Sequence, residues 1–281
     1  MKIKISVVIV AYNPTPLVID NINAYVDRVD VIYFIDNSSS SNIHLLESIS
    51  KKNKIIYLHD GVNKGISISI NLAANKAYEE GVEWLLTMDQ DSQFVNFDDF
   101  INYIEGDEEI EKVGIYSPFH DTGFRKRITS EKVSYIDTVM TSGNIVNINA
   151  LKRVGGLDER FFIDRVDHDF CATLVENGYL IKRLNYCTLK HNLGNINRSV
   201  KGKEITNHSP FRRYYITRNF FYYIEKHLRK RPIFCLKYVK EFFFDLASVA
   251  FFEKNKISKL KYICLGFFHY LLRKKGIMIL K

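Results

Sequence analysis
Cysteine is sparse in this 281-residue chain, and its four copies, Cys171, Cys187, Cys235 and Cys264, are far apart with no CxxC pair among them. That spacing argues against a zinc site or a disulfide framework and points to a reducing compartment. No uncharged apolar stretch reaches the roughly 18 residues of a membrane span, so no transmembrane helix is expected. The first apolar run, Ile5 to Ala11, is too short for a signal peptide, and none is expected. There is no internal repeat and no low-complexity linker. Acidic residues run short in one region: residues 198–281 hold 20 Lys and Arg against 5 Asp and Glu, a net +15, whereas residues 1–197 hold 20 against 27, a net −7. A basic tail on an acidic body suggests that the tail meets an anion, whether phosphate head groups, a pyrophosphate-linked substrate or nucleic acid. Its aromatics come in apolar runs, such as Phe220-Phe221-Tyr222-Tyr223 and Phe242-Phe243-Phe244, and not in a recognisable RNA-binding motif. No nucleic-acid partner is therefore expected.

Apolar material is plentiful, at 46% hydrophobic residues against 26% charged, which excludes a wholly disordered chain. The length suits one sizeable α/β domain with an appendage, or two small domains. Short β-branched runs alternate with helical patterns through the first half. Strands are expected over Ile5–Val10, Val31–Ile35, Lys54–Leu58 and Glu83–Met88, with helices over Pro16–Val26, Asn42–Ser50 and Ser67–Glu80. Continuous apolar strands separated by helices mean βαβ units and a mainly parallel sheet. Ligands gather at the carboxyl ends of such strands. Tyr12-Asn13, Asp36-Asn37 and Asp89-Gln90-Asp91 all fall at such ends. Further strands are expected over Val113–Ser117 and Gly143–Ile148, and a helix over Asp167–Asn177 closed by Gly178. Beyond Pro210 the pattern is helical.

Asp89 and Asp91, one residue apart at a strand end, can both reach a hard divalent cation, which prefers oxygen ligands and often keeps phosphate oxygens as partners. Mg²⁺ or Mn²⁺ there would stabilise charge on a departing diphosphate. Asp36, or Asn37 beside it, is placed to hydrogen-bond a base or ribose, although an Asx-turn gives the same pattern. Asn63-Lys64-Gly65 at a helix start is placed to offer backbone N–H groups to an anion. Asp164, Asp167 and Asp169 lie near the start of the later helix, where acids gain from the helix dipole. One of them facing the substrate would serve as a general base, and the apolar approach Phe-Phe-Ile to Asp167 would raise its basicity by desolvation. His191 offers an imidazole suited better to Mn²⁺ than to Mg²⁺. Arg212, Arg213 and Arg218 bring guanidinium groups suited to phosphate.

Taken together these segments resemble the inverting family 2 glycosyltransferases, which have a GT-A fold. The resemblance runs from Ile5 to about Asn219. Its pieces occur in the family's order: Ser-Val-Val-Ile-Val-Ala-Tyr-Asn, Ile-Asp-Asn-Ser, Asn-Lys-Gly, Met-Asp-Gln-Asp-Ser, Thr-Ser-Gly-Asn, Val-Gly-Gly-Leu-Asp-Glu, Phe-Phe-Ile-Asp-Arg-Val-Asp and Lys-His-Asn-Leu-Gly. Met-Asp-Gln-Asp-Ser, Phe-Ile-Asp-x-Val-Asp and Ser-Pro-Phe-Arg-Arg-Tyr-Tyr-x-x-Arg-Asn look most like the rhamnosyltransferases that build O-antigen or capsular glycans from dTDP-L-rhamnose. The resemblance implies that Ala11, Tyr12, Asn13, Asn63 and Gly65 line the nucleotide-sugar site and that Asp36 contacts the base. It implies that Asp89 and Asp91 hold the metal and diphosphate, with His191 as a third metal-side ligand. Asp167 matches the catalytic base, and Arg212 or Arg213 would meet the diphosphate. Where many members carry Glu-Asp, this chain has Val166-Asp167, and Phe170 stands where Trp is common. The rhamnosyl branch tolerates Val-Asp, so Asp167 is kept as base, with Asp164 and Asp169 able to share the role.

The expected organisation is an α/β GT-A catalytic domain over residues 1–205, nucleotide-binding over 1–117 and acceptor-binding over 118–205, with a Rossmann-like, mainly parallel sheet and helices on both faces. A helical, basic, aromatic region follows over 206–281. The implied partners are a nucleoside-diphosphate sugar, dTDP-rhamnose before a UDP-hexose or UDP-N-acetylhexosamine, and a glycan or lipid-linked saccharide acceptor. The alternative outside enzymes is a nucleotide-sugar binding module without activity. The C-terminal region is expected to touch a membrane surface, the alternatives being a helical cap or a homo-oligomer interface. The expected location is the cytoplasm, at the inner face of the cell membrane.

Overall fold
A computed structural model describes residues 2–123, 130–191 and 207–278, together with the backbone of 198–200 and 203–205. The last three residues of Lys-His-Asn-Leu-Gly, at 192–194, lie outside the described residues. By its contacts the chain forms two units, Met1–Asp158 with Val166–Asn192, and Glu159–Arg165 with Leu193–Lys281.

In the first unit, strand β1 (Ile5–Ala11) is apolar along almost its whole length and buried on both faces, as a central parallel strand must be. Helix α1 (Leu17–Asn23) leads from it to β2 (Val31–Asp36), and β3 (Ile55–His59) follows. The helix expected over 42–50 is instead a single 3₁₀ segment, Ile43–Ser48, entered through Asn42, whose N–H and side chain are held by Asp36. Helix α2 (Gly65–Glu79) then crosses to β4 (Trp84–Asp89). These strands form the parallel half of the sheet, in the order β3-β2-β1-β4.

The remaining strands make the other half mixed, so the sheet is parallel in part and antiparallel in part. Strand β5 (Ser92–Phe94), helix α3 (Phe97–Glu105), β6 (Val113–Asp121), β7 (Val133–Tyr135), β8 (Asn144–Asn147), α4 (Ile148–Arg153), α5 (Val166–Glu176) and β9 (Leu180–His191) follow in turn. The sheet continues β4-β8-β6-β9-β5, with β7 also on β9. Strand β8 runs antiparallel to both β4 and β6, and β9 returns parallel to β6. The core joins the strand interiors to α1 and α3 through residues such as Ile5, Val7, Phe34, Leu86 and Phe100, each contributing about 1.5–3 kcal/mol by leaving water.

The second unit holds a short hairpin, β10 (Arg198–Val200) with β11 (Lys203–Ile205), and helices α6 (Pro210–His227), α7 (Pro232–Phe251) and α8 (Lys256–Leu271). Ser209 caps α6 by accepting from the Arg212 N–H at 3.2 Å, with Pro210 in the first turn. Gly266 lets α8 close on α6: a Cβ there would lie 2.5 Å from the Tyr214 carbonyl oxygen.

Candidate active site
Strand register brings the site together. Ala11 pairs with Asp36 across β1 and β2, and Val10 pairs with Asp89 across β1 and β4. The polar residues that end these strands therefore share one edge of the sheet, where the free ends of parallel strands leave room for a ligand. Side chains stitch the loops to one another. The Tyr12 N–H donates to Gln90 Oε1 at 2.8 Å, and the Asn13 N–H to Ser38 Oγ at 2.7 Å. Asn13 takes φ +48°, a left-handed turn that Asn tolerates better than most residues. Tyr12 stands 56% exposed over this edge, free to cover a planar ligand.

Asp36 is buried beneath that edge. Its carboxylate accepts from the Ser38 N–H at 3.0 Å, from the Asn42 N–H and Asn42 Nδ2 at 3.0 Å each, and from the Tyr57 hydroxyl at 2.6 Å. Burial pushes this carboxyl up, but those donors outweigh it and hold it down at about 2. The carboxylate is thus occupied by its own loop, and a base reaching it would have to displace one of these donors. The amides expected to face an anion at the start of α2 are also engaged: the Lys64 N–H donates to Asn37 Oδ1 at 3.3 Å and the Gly65 N–H to Asn63 Oδ1 at 2.9 Å. Asn63 therefore closes an Asx-turn onto Gly65. Gly65 is required there by its φ of +77°.

Asp89, Asp91 and His191 converge. Each offers one ligand atom, and these atoms lie within 4.8 Å of one another. Strand β5 pairs antiparallel with β9 so that Ser92 faces His191, which draws the imidazole beside the two carboxylates. His191 Nδ1 lies 2.5 Å from Ser92 Oγ and 4.0 Å from Asp91 Oδ1. Burial pushes the imidazole down in pKa against the pull of Asp91, so it is neutral at neutral pH and keeps a lone pair for a metal. Burial, together with the charges of Asp91 and Asp167, pushes the Asp89 carboxyl up to about 7. Two carboxylates and a neutral imidazole fit a divalent cation.

Thr-Ser-Gly-Asn sets the end of β4. The Asp89 N–H donates to Ser142 Oγ at 3.0 Å, and the Gly143 N–H to the Thr87 carbonyl at 2.7 Å. Asn71 on α2 clamps Val-Gly-Gly-Leu-Asp-Glu from both sides, with Nδ2 donating to the Leu157 carbonyl and Oδ1 accepting from the Leu157 N–H, both at 2.9 Å. A Cβ on Gly156 would lie 2.9 Å from that Oδ1. Ser142 lies within Thr-Ser-Gly-Asn, and Asn71 in the helix that Asn63-Lys64-Gly65 opens. Ser142 stands beside Gly143 in the sequence, a signal open to reading, whereas Asn71 meets Gly156 only in the folded chain.

The three acids near the start of α5 separate by environment. Asp169 is 1% exposed. Asp164, at φ +61°, receives Arg212 Nε at 3.1 Å and Arg212 Nη2 at 3.0 Å within the helical unit. Asp167 is the most open of the three. Its Oδ1 accepts from the His168 N–H at 2.8 Å and lies 2.7 Å from His168 Nδ1. It borders a cavity of about 20 Å³, room for roughly one water, whose wall includes Ile70, Val139, Val146 and Phe170. Asp167 lies close enough to raise the Asp89 carboxyl, so base candidate and metal ligands belong to one electrostatic site.

The arginines require a correction. Arg213 is buried with its guanidinium on Glu253 and 3.5 Å from Asp245, and Glu253 also receives Lys259 at 2.7 Å. Opening that buried network would strand a charge, so Arg213 serves the helical unit and not a diphosphate. Arg218 is also fully buried, donating to the carbonyls of Gly276 at 2.8 Å and Arg160 at 3.0 Å. Its neighbour Asn219 donates to the carbonyls of Ile163 at 2.7 Å and Asp164 at 3.0 Å. Arg212, about half exposed and paired with Asp164, is the remaining guanidinium of the original pair.

A model of the family described as Glycosyl transferase family 2 matches residues 6–173. The dTDP-rhamnosyl transferase RfbF of Shigella flexneri is 28% identical over 284 residues, covering 93% of each chain. Among solved structures, GalNAc-T7 with UDP, GalNAc and Mn²⁺ superposes with a TM-score of 0.56 at 14% identity, over 79% of this chain but only 48% of that one. Staphylococcus aureus TarS 1-349 in complex with UDP-GlcNAc superposes with a TM-score of 0.54 at 14% identity, over 97% of this chain and 74% of that one. At that identity the superpositions speak for the fold, which is the GT-A fold.

Proposed function
The chain belongs to glycosyl transferase family 2, and on that premise we propose that it moves L-rhamnose from dTDP-rhamnose to a hydroxyl of a saccharide acceptor, with inversion at the anomeric carbon. The observation that carries the chemistry is the meeting of Asp89, Asp91 and His191 with Asp167 at one edge of the sheet. Asp89, Asp91 and His191 would hold a divalent cation, which when bound supplies positive charge to a diphosphate leaving group. Asp167 accepts the proton of the acceptor hydroxyl as its oxygen attacks the anomeric carbon. His168, against Oδ1 of Asp167, fixes the carboxylate's orientation. Tyr12, exposed at the end of β1, covers the nucleotide. The bond to the diphosphate breaks as the bond to the acceptor forms, so no enzyme nucleophile is required.

The donor assignment is supported by the relative from Shigella flexneri, a dTDP-rhamnosyl transferase that matches almost from end to end. The acceptor we propose is an intermediate of a cell-surface polysaccharide such as O-antigen or capsule, which the motifs' resemblance to rhamnosyltransferases implies. Incubation with dTDP-rhamnose, UDP-glucose and UDP-N-acetylglucosamine tests the donor. Release of dTDP in preference to UDP, with a product anomer opposite to the donor's, is expected. Preference for a UDP-sugar would keep the transferase and discard rhamnose.

A further inference from the structure
The helical unit leaves an apolar face uncovered. On α7, Ile233, Leu236 and Phe243 are exposed, Ile233 by 79%. Leu236, Lys240, Phe243 and Ala247 follow one another at helical spacing and are all exposed, so they form a single stripe. The opposite side of α7 buries Tyr238 and Phe242, which pack on Tyr223 and Phe220 of α6. Helix α8 repeats the pattern: Gly266 is buried against α6, while Ile257, Phe268 and Leu271 are exposed, Ile257 by 87%. Phe221 of α6 touches both Phe242 of α7 and Phe267 of α8, so the two helices meet over the same α6 side chain. Exposed apolar surface on this scale marks a contact site.

The charge around the face identifies what it meets. Lys237, Lys240, Lys254, Lys256 and Lys261 are all exposed on or beside these helices. Of the acids there, Glu253 is buried and the half-exposed Asp245 lies 3.5 Å from Arg213, which leaves Glu241 as the exposed acid without that cation beside it among the described residues of α7 and α8. We propose that α7 and α8 dock this face on a bilayer rich in anionic phospholipid, with the apolar side chains entering the headgroup boundary and the lysines meeting phosphate. Among the described residues no helix is long and apolar enough to cross a membrane, so the helices lie on the surface. A second copy of the chain is the poorer occupant, because it would set one lysine-rich face against another.

The test is co-sedimentation of the full chain with vesicles of phosphatidylcholine, with and without phosphatidylglycerol, at low and high salt. Binding is expected only with phosphatidylglycerol and is weakened by salt. The double variant Phe243→Ser/Ile257→Ser and the triple variant Lys237→Glu/Lys240→Glu/Lys261→Glu are each expected to lose about tenfold or more in vesicle partition, with melting temperature and nucleotide binding unchanged. Equal binding to neutral vesicles, no binding by the wild-type chain, or binding that survives both sets of substitutions would overturn the proposal. So would a wild-type dimer that Phe243→Ser/Ile257→Ser converts to monomer, which would assign the face to a second copy. None of these readouts depends on sugar transfer, so failure here leaves the transferase reading standing.

Discussion

The proposed mechanism gives Asp167 the acceptor's proton and Asp89 the cation within one electrostatic site, and their substitutions separate the two roles. Asp167→Asn keeps the shape and the hydrogen bond to the His168 N–H but removes the proton acceptor. The expected result is a fall in kcat of about 10²–10⁴-fold with KM for the donor little changed, read from steady-state kinetics. A matching rise in KM instead would place Asp167 in donor binding. For Asp89 the prediction concerns protons. Burial and its two acidic neighbours raise its carboxyl to about 7, so below that pH a proton occupies the group and competes with the metal. Mn²⁺ affinity should therefore rise as pH increases through 7. Calorimetry in buffers of differing ionisation enthalpy should show about one proton released on binding near pH 6 and almost none near pH 8. Without metal the raised pKa also makes this group's contribution to folding decline as pH climbs from about 4 to 7, because the folded state then holds the proton more tightly than the unfolded chain. Mn²⁺ should flatten that part of the melting-temperature profile.

The Thr-Ser-Gly-Asn segment shows how an element distant in sequence fixes Asp89, one of the candidate metal ligands. Gly143, at φ +78°, turns the chain so that Ser142 caps the end of β4, and a Cβ at Gly143 would lie 2.7 Å from Leu189 Cδ2. Gly143→Ala should cost about 1–3 kcal/mol in denaturant unfolding and weaken Mn²⁺ binding, because the displaced segment carries Ser142 away from Asp89. Normal metal affinity in that variant would mean that β4 holds its end without help. Periodicity made the parallel half of the sheet legible, since β1, β2 and β4 are runs whose burial on both faces leaves few polar positions, and β3 is a β-branched run at the sheet's edge. The mixed half was only partly legible. Strand β9 extends over 12 residues by pairing in turn with β6, β7 and β5, and β5 and β7 are three-residue strands that no local pattern announces. The 3₁₀ segment at 43–48 looked helical because the loop's true anchor, Asp36, precedes it in the chain.

At the scale of the whole molecule, the site was legible wherever chemistry needs a residue type at a strand end, as with Asp89, Asp91 and His191. It was not legible where a charged side chain could go either way. Arg213 and Arg218 read as phosphate ligands, yet they are buried, one on acids and one on backbone carbonyls, because the acidic residues of this basic region are so few that Glu253 is shared by Arg213 and Lys259. The charge imbalance itself, +15 over residues 198–281, was legible in outline, while its placement around an apolar face emerged only from helix packing. The most direct test of the central claim is release of dTDP from dTDP-rhamnose with a saccharide acceptor, measured in Mn²⁺ and in EDTA for the wild-type chain and Asp91→Ala. Release in Mn²⁺ by the wild type, abolished by EDTA and by Asp91→Ala, is the predicted result. Release that proceeds undiminished in EDTA and in Asp91→Ala would contradict it, since the carboxylate and imidazole group would then have no part in the transfer.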